Sequence, residues 1–258
     1  MKRRQLIRYA GISVLSGLGI AGSSQWLPAR GQSGGVNVTY LGHTCFLFSG
    51  GGRRILVNPF RDLDVGCTVG YRPPQVPADT VLLSSRLFDE GSPQGVPGNP
   101  DILFEPGSYQ VRGQQFQGIA IAHDRKGGRQ FGINVAWSWT QGGVRILHMG
   151  GAAAPVEVEH KILMGRPDVA FVPVGGGVKA YNPQEALQAV RTINPKIVVP
   201  THYRTQAADL PTCDIVPVDD FLNLIPGFPV NRIGSTLSLS PGNIPQDGPN
   251  VRVMSYPF

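Results

Sequence analysis

Residues 81–91 read VLLSSRLFDEG: an apolar run, two serines, and then a short loop carrying two adjacent carboxylates, Asp89 and Glu90. The run 80–83 is a strand candidate, and the loop that leaves it decides how the rest of the chain is read. Ser84 and Ser85 lack the Gly-x-Ser-x-Gly elbow of a strained nucleophile, so a serine hydrolase has no support in this stretch.

Working outward, short β-type runs dominate. Residues 36–40 alternate, 44–48 follow, and 54–57 come after the Gly50, Gly51, Gly52 turn, the composition of a hairpin loop. Further strands are predicted over 102–104, 115–122 and 132–139, and Gln141, Gly142 and Gly143 turn the chain into 144–148. Residues 169–174 and 197–199 are unbroken apolar runs, as in strands buried on both faces. Between them Asn182 and Pro183 open a helix as N-cap and first-turn proline, with Ala186, Leu187, Ala189 and Val190 as its apolar stripe. Residues 60–80 and 88–115, rich in Pro and Gly, read as loops over a sheet edge, and 220–258 as a packed or wrapping extension. Trp137 and Trp139 share one strand face and read as core. Gly175 to Gly177 lacks the Lys-Ser/Thr of a phosphate loop and reads as a tight turn. A mixed sheet layered with helices fits this order.

Seven segments, taken in order, resemble one family: VTYLGHTCFLF (38–48), RRILVNPF (53–60), VLLSSRLFDEG (81–91), IAIAHDRKGGRQFGINV (119–135), GGVRILHMGG (142–151), RPDVAFVPVGGG (166–177) and NPQEALQAVRTINPKIVVPTHYRT (182–205). Together they are similar to the metallo-β-lactamase superfamily, and within it to the zinc hydrolases related to ascorbate-phosphate lactonases. The resemblance implies an α/β fold, an αββα sandwich: two mixed β-sheets packed face to face with outer helices, and a dinuclear metal site at one edge. It also implies metal-assisted hydrolysis, in which zinc lowers the pKa of bound water and polarises the attacked group, held by His and carboxylate ligands at about 2 Å.

The family's His-x-His-x-Asp-His loop falls on residues 85–90. Its two early histidines are Ser85 and Leu87 here, its Asp is Asp89, and its last His is Glu90. The mid-chain ligand is matched by His123 and the final one by His202, while the bridging Asp falls on Gly151, which has no side chain to ligate. Asn58 stands where the family carries an Asp that supports the loop. The metal candidates are therefore Asp89, Glu90, His123 and His202, with His148 as an outlying fifth. His43, in LGHT, matches a supporting position and is expected to be buried and hydrogen-bonded, and His160 is expected at the surface. Two readings follow from the same residues. In one, a depleted centre leaves a non-hydrolytic or strongly altered relative that binds a small molecule or protein, with no cofactor. In the other, one divalent metal, zinc before manganese or iron, serves a hydrolase of a lactone, ester or phosphate.

The N-terminal stretch 1–31 has a basic start (KRRQLIR), an apolar run of 14 residues over 9–22, and a small-residue exit near 27–31. That is the order of an export signal, and the run is shorter than the roughly 20 residues of a stable span. Arg3 and Arg4 followed by Gln5, Leu6 and Ile7 resemble a twin-arginine signal, which implies passage of folded protein through the twin-arginine machinery. The expectation is thus a leader over 1–31, a single domain over 32–258, and residence in a periplasm or comparable extracytoplasmic compartment without a stable membrane span after cleavage. The chain has a formal net charge of +6, but five of its 23 Lys and Arg and none of its 17 acids lie in 1–31. The remainder is close to neutral and offers no basic face for nucleic acid. Cys45, Cys67 and Cys213 allow one disulfide in an oxidising compartment, and spacing does not say which pair forms it.

Overall fold

The structure, a computed structural model, describes residues 34–258; the expected leader lies outside them. Two mixed sheets face each other. The first runs in the order β13 (Thr236–Leu239), β1 (Val36–Gly42), β2 (Cys45–Gly50), β3 (Arg53–Val57), β4 (Thr80–Leu82), β5 (Asp101–Leu103). It is antiparallel up to β3 and parallel from β3 to β5. The second begins at β12 (Val230–Ile233) and continues through β14 (Asn250–Met254), β11 (Ile197–Thr201), β10 (Val169–Pro173) and β9 (Val144–His148). It ends with β8 (Ile133–Gln141), β7 (Gln114–Ala122) and β6 (Gly107–Val111).

Period-two alternation places the cores. In β3, Ile55 and Val57 enter the layer between the sheets while Leu56 faces outward; in β4, Leu82 faces in and Val81 faces out. The inter-sheet layer gathers Phe46, Phe48, Phe171, Trp137 and Trp139, all buried, with Phe48 against Trp139 edge-on at 4.9 Å. Strands β10 and β11 are buried at every position, as their unbroken apolar runs require.

Three helices, α1 (Val158–Met164), α2 (Pro183–Ile193) and α3 (Val218–Leu222), are the α-helices among the described residues. The outer face of the second sheet packs against them through Ala186, Val190, Met164 and Phe221. The outer face of the first sheet is covered instead by Phe60, Tyr71, Ala78 and Ala207, so loop rather than helix fills that layer. Helix α2 starts as read from the sequence: Asn182 Oδ1 accepts from Glu185 N, 2.9 Å, and the Glu185 carboxylate accepts from Asn182 N. Among the described residues no helix is long and apolar enough to cross a membrane.

Two readings need correction. Residues 88–115 hold, besides the strand predicted at 102–104, which is β5, a further strand, β6, in a stretch that reads as loop. Residues 220–258 are not a mere wrap: β13 extends the first sheet beside β1, and β14 inserts in the second between β11 and β12. These strands have only four or five residues, too few for their alternation to stand out from turn-rich flanks. The disulfide joins Cys67 to Cys213, and Cys45 is a buried free thiol behind the first sheet.

A buried polar cluster at the strand ends

The candidate residues collect where β1, β3, β4, β7, β9 and β11 end. His43, Asn58 and His202, each just past such an end, have left-handed backbones (φ 52°, 51° and 50°). That conformation is uncommon for residues with a side chain and turns each chain sharply as it leaves its sheet. Asn58 anchors the 85–90 loop as its family position implies: its Oδ1 accepts from Ser84 N, 2.8 Å, and its Nδ2 donates to Thr44 Oγ1, 3.4 Å.

Asp89 and Glu90 point to different partners. Glu90 turns inward. Its Oε1 lies 2.5 Å from His123 Nε2 and accepts from Ser85 Oγ at 2.7 Å. His123 Nδ1 is 2.6 Å from the Gly151 carbonyl oxygen. A carbonyl only accepts, and so does an ionised carboxylate, so His123 donates from both nitrogens and is an imidazolium. Burial opposes both charges, but each stabilises the other: His123 holds the Glu90 carboxyl well below the usual range, and Glu90 raises the imidazole. An imidazolium has no lone pair to offer a metal.

Gly151 is shaped by the same ring. A Cβ there would stand 2.2 Å from His123 Cε1, so the ring fills the space a side chain would enter. The glycine is fixed from the other side by Asn134, whose Oδ1 accepts from Gly151 N at 2.8 Å and whose Nδ2 donates to Met149 O at 2.9 Å. Asp124 orders the loop after His123, its carboxylate accepting from the backbone N–H of Phe131, Gln130, Lys126 and Gly128, which lowers its pKa to about 2.

Asp89 turns the other way and pairs with Lys179. Burial alone would lower the lysine, but Asp89 and then Glu90 outweigh it and raise its pKa. His43 Nε2 stands 3.7 Å from Asp89 Oδ2, and the His43 and His202 rings lie 4.6 Å apart. Burial lowers both imidazoles, outweighing the opposing pull of Asp89 on His43, with Lys179 acting in the same sense as burial there; at His202 the neighbouring His43 and Lys179 add to it. Neither His43 nitrogen has a hydrogen-bond partner, nor does His202 Nδ1, so the hydrogen bonding expected of His43 is not made by the protein. These groups line a cavity of about 170 Å³ whose outer wall is the loop pair joined by Cys67–Cys213.

His148 lies apart from this cavity, its Nε2 3.1 Å from Thr44 O and its Nδ1 accepting from Gly150 N at 3.1 Å, with burial lowering its pKa to about 4. His160 is half-buried in the first turn of α1, where its Nδ1 accepts from Glu157 N, 3.0 Å. The four metal candidates therefore divide into a Glu90–His123 knot and an Asp89–His202 cavity with Lys179 and His43. Among the described residues no group of three or more His, Cys, Asp or Glu is arranged to hold a metal ion.

Lys179 was not legible as a site residue. The one available signal was charge: two adjacent carboxylates drawn into a buried loop require two cations, and His123 supplies only one.

A family model described as the beta-lactamase superfamily domain matches residues 37–202. The chain belongs to that superfamily. Within this metallo-β-lactamase group, a UPF0173 metal-dependent hydrolase of Methanoculleus marisnigri is 29% identical over 187 residues, covering 66% of this chain and 82% of the relative. A counterpart from Thermococcus onnurineus is 27% identical over 195 residues, covering 66% and 85%. The solved structure of a Thermotoga maritima protein assigned to the zinc-dependent hydrolases of the superfamily superposes with TM-score 0.68 at 28% identity, covering 85% of this chain and 98% of its own. One from Parabacteroides distasonis, at 16% identity and TM-score 0.57, covering 84% and 92%, shares the fold. The superfamily, the sandwich of two mixed sheets and the metal-dependent character of the relatives agree with the sequence reading.

Proposed function

We propose that this protein is an exported superfamily member with a degenerate metal site, which binds a small molecule without a metal cofactor. The observation that carries this reading is the Glu90–His123 knot. The histidine that should bind metal is committed through both nitrogens, and its ring fills the space beside Gly151 where the bridging ligand would stand. Around Asp89 the compensating cation is the Lys179 ammonium. This donor set does not suit a dinuclear centre, which needs free lone pairs and at least three well-placed ligands per metal.

The leader over 1–31 and the twin-arginine pattern at Arg3 and Arg4 support export through that machinery, with 32–258 as the exported domain. The Cys67–Cys213 disulfide supports the same compartment, since disulfides persist where thiols are not kept reduced. The near-neutral domain speaks against nucleic acid as a partner.

Metal analysis of the purified protein, before and after incubation with zinc, manganese and iron, tests the reading. The expected result is no stoichiometric metal. Bound metal that is lost in an Asp89→Ala, His202→Ala double variant would favour the second reading, a single-metal hydrolase of a lactone, ester or phosphate. What supports that alternative is the unpartnered nitrogens of His43 and His202 beside Asp89, together with the naming of the relatives. Export is tested by fractionating cells that carry Arg3→Lys, Arg4→Lys: the variant should stay inside.

A further inference from the structure

One stretch of the cavity lining involves none of the residues offered as metal ligands. The Cys67–Cys213 bridge sets Thr68 and Asp214, each the residue after a bridged cysteine, on the same lining. Thr68 is 4% exposed, and its Oγ1 has no hydrogen-bond partner. A buried hydroxyl is normally satisfied, so this one marks a place for a ligand atom. Asp214 is exposed at the rim, its Oδ2 accepting from Val178 N at 3.2 Å. The carboxylate lies over Gly177, where a Cβ would stand 2.8 Å from Oδ2. It pairs with no cation among the described residues.

The wall is acidic beyond Asp214. Segments 62–68 and 206–216, which meet at the bridge, carry Asp62, Asp64, Asp209 and Asp214 and no lysine or arginine. Beneath them Glu90 Oε2 is a further buried oxygen without a partner. The cations nearby are committed: Lys179 pairs with Asp89, Arg125 with Glu185 while donating to Gly177 O, and Arg61 lies over the Phe88 ring. The excess of carboxylates on these two segments is the same whatever charge His43 and His202 carry. Beside it the mouth is apolar: Val65 and Val178 are 60% and 55% exposed, with Leu63 and Ile215 also on the lining.

We infer that this wall binds the primary ammonium of a small aliphatic amine, whose alkyl body rests against Val65 and Val178. Two of the three ammonium N–H groups donate to Asp214 Oδ1 and Thr68 Oγ1, and the third stays in the water of the mouth. A carboxylate head would meet Asp214 with no free cation to receive it, and a neutral head would forgo the charge-assisted bond. One carboxylate and one hydroxyl fall short of the oxygen set that a hard metal cation requires. This inference rests on the reading of the cavity as a small-molecule site.

Three probes of closely similar shape test it: isobutylammonium, isobutanol and isovalerate, titrated at fixed ionic strength into the purified protein and followed by NMR. Isobutylammonium should bind at least about fivefold more tightly than either other probe and shift the backbone amide signals of Thr68, Val178 and Asp214. Asp214→Asn keeps the shape of the side chain and removes its charge, so it should bring the ammonium to within about twofold of the alcohol. Thr68→Val should weaken ammonium binding while leaving the free protein at least as stable, because it removes a hydroxyl that has no partner. Equal or tighter binding of either other probe, no binding of any, amide shifts elsewhere, or a preference that survives Asp214→Asn would overturn the inference. The wild-type ranking decides if a variant does not fold. Stoichiometric metal in the purified protein would sink the metal-free reading, whereas a missing ammonium preference in metal-free protein would sink only the amine assignment.

Discussion

At the scale of single residues, the cluster is organised by what each side chain does for its neighbour's charge. Glu90 stands where the sequence resemblance expects a histidine, and it brings a negative charge that His123 neutralises. Gly151 stands where the sequence resemblance expects an aspartate, and its missing Cβ is what lets the edge of the His123 ring, Cε1 foremost, approach the backbone. The two replacements are therefore coupled: restoring a side chain at 151 collides with the ring that Glu90 holds. Gly151→Ala should lower unfolding free energy by about 2 kcal/mol, because an overpacked core must shift backbone or ring. Urea denaturation of the variant checks this, and a stability unchanged from the parent would contradict the packing described. The same contact bears on restoring a metal centre: Ser85→His, Leu87→His and Gly151→Asp together should fold poorly unless His123 moves.

At the scale of elements, the cavity's outer wall is loop, and loop is held by few contacts. Residues 66–70 meet residues 207–213 through Gly66 N to Thr212 Oγ1 (2.8 Å), Asp209 N to Gly66 O (2.9 Å) and Gly70 N to Ala207 O (2.8 Å), besides the disulfide. The bridged cysteines are 146 residues apart, so the cross-link removes much of the freedom of the unfolded chain. The chain-entropy relation gives about 5 kcal/mol for a loop of that length, an upper figure because cross-links often return less. The Cys67→Ser, Cys213→Ser variant should lose several kcal/mol and show its earliest hydrogen exchange in these two loops. Exchange that began instead in β10 or β11 would place the weak point elsewhere.

At the scale of the whole molecule, burying histidines makes stability depend on pH. His148 titrates near 4 in the fold against 6.5 in the open chain. Between those values the unfolded state binds the extra proton, so this contribution is fully present above pH 6.5 and is lost as pH falls to about 4. For one group the loss is about 3 kcal/mol. His43 and His202 are lowered too and act in the same sense. His123 is raised, so its contribution is complete below its unfolded pKa and fades as pH rises through the folded one, while lowered Glu90 keeps its own until pH falls through its folded value. Because the His123 contribution is already complete below about pH 6.5, the three lowered histidines set the trend, and denaturation midpoints should fall steadily from about pH 6.5 to about pH 4. Flat midpoints over that window would mean the buried imidazoles are already charged.

The sequence by itself determined the sheet-forming runs, the α2 cap at Asn182 and the superfamily. Each of these is written locally, in side-chain periodicity, in a capping residue, or in a motif held in order along the chain. Only the tertiary structure decided that Glu90 and Asp89 face different partners, that Lys179 joins the second, that Cys67 rather than Cys45 meets Cys213, and that the tail supplies one strand to the first sheet and two to the second. Those outcomes depend on which residues distant in the chain arrive at the same strand ends. A buried carboxylate selects its counter-ion by distance and desolvation, and neither is expressed in the order of residues along the chain.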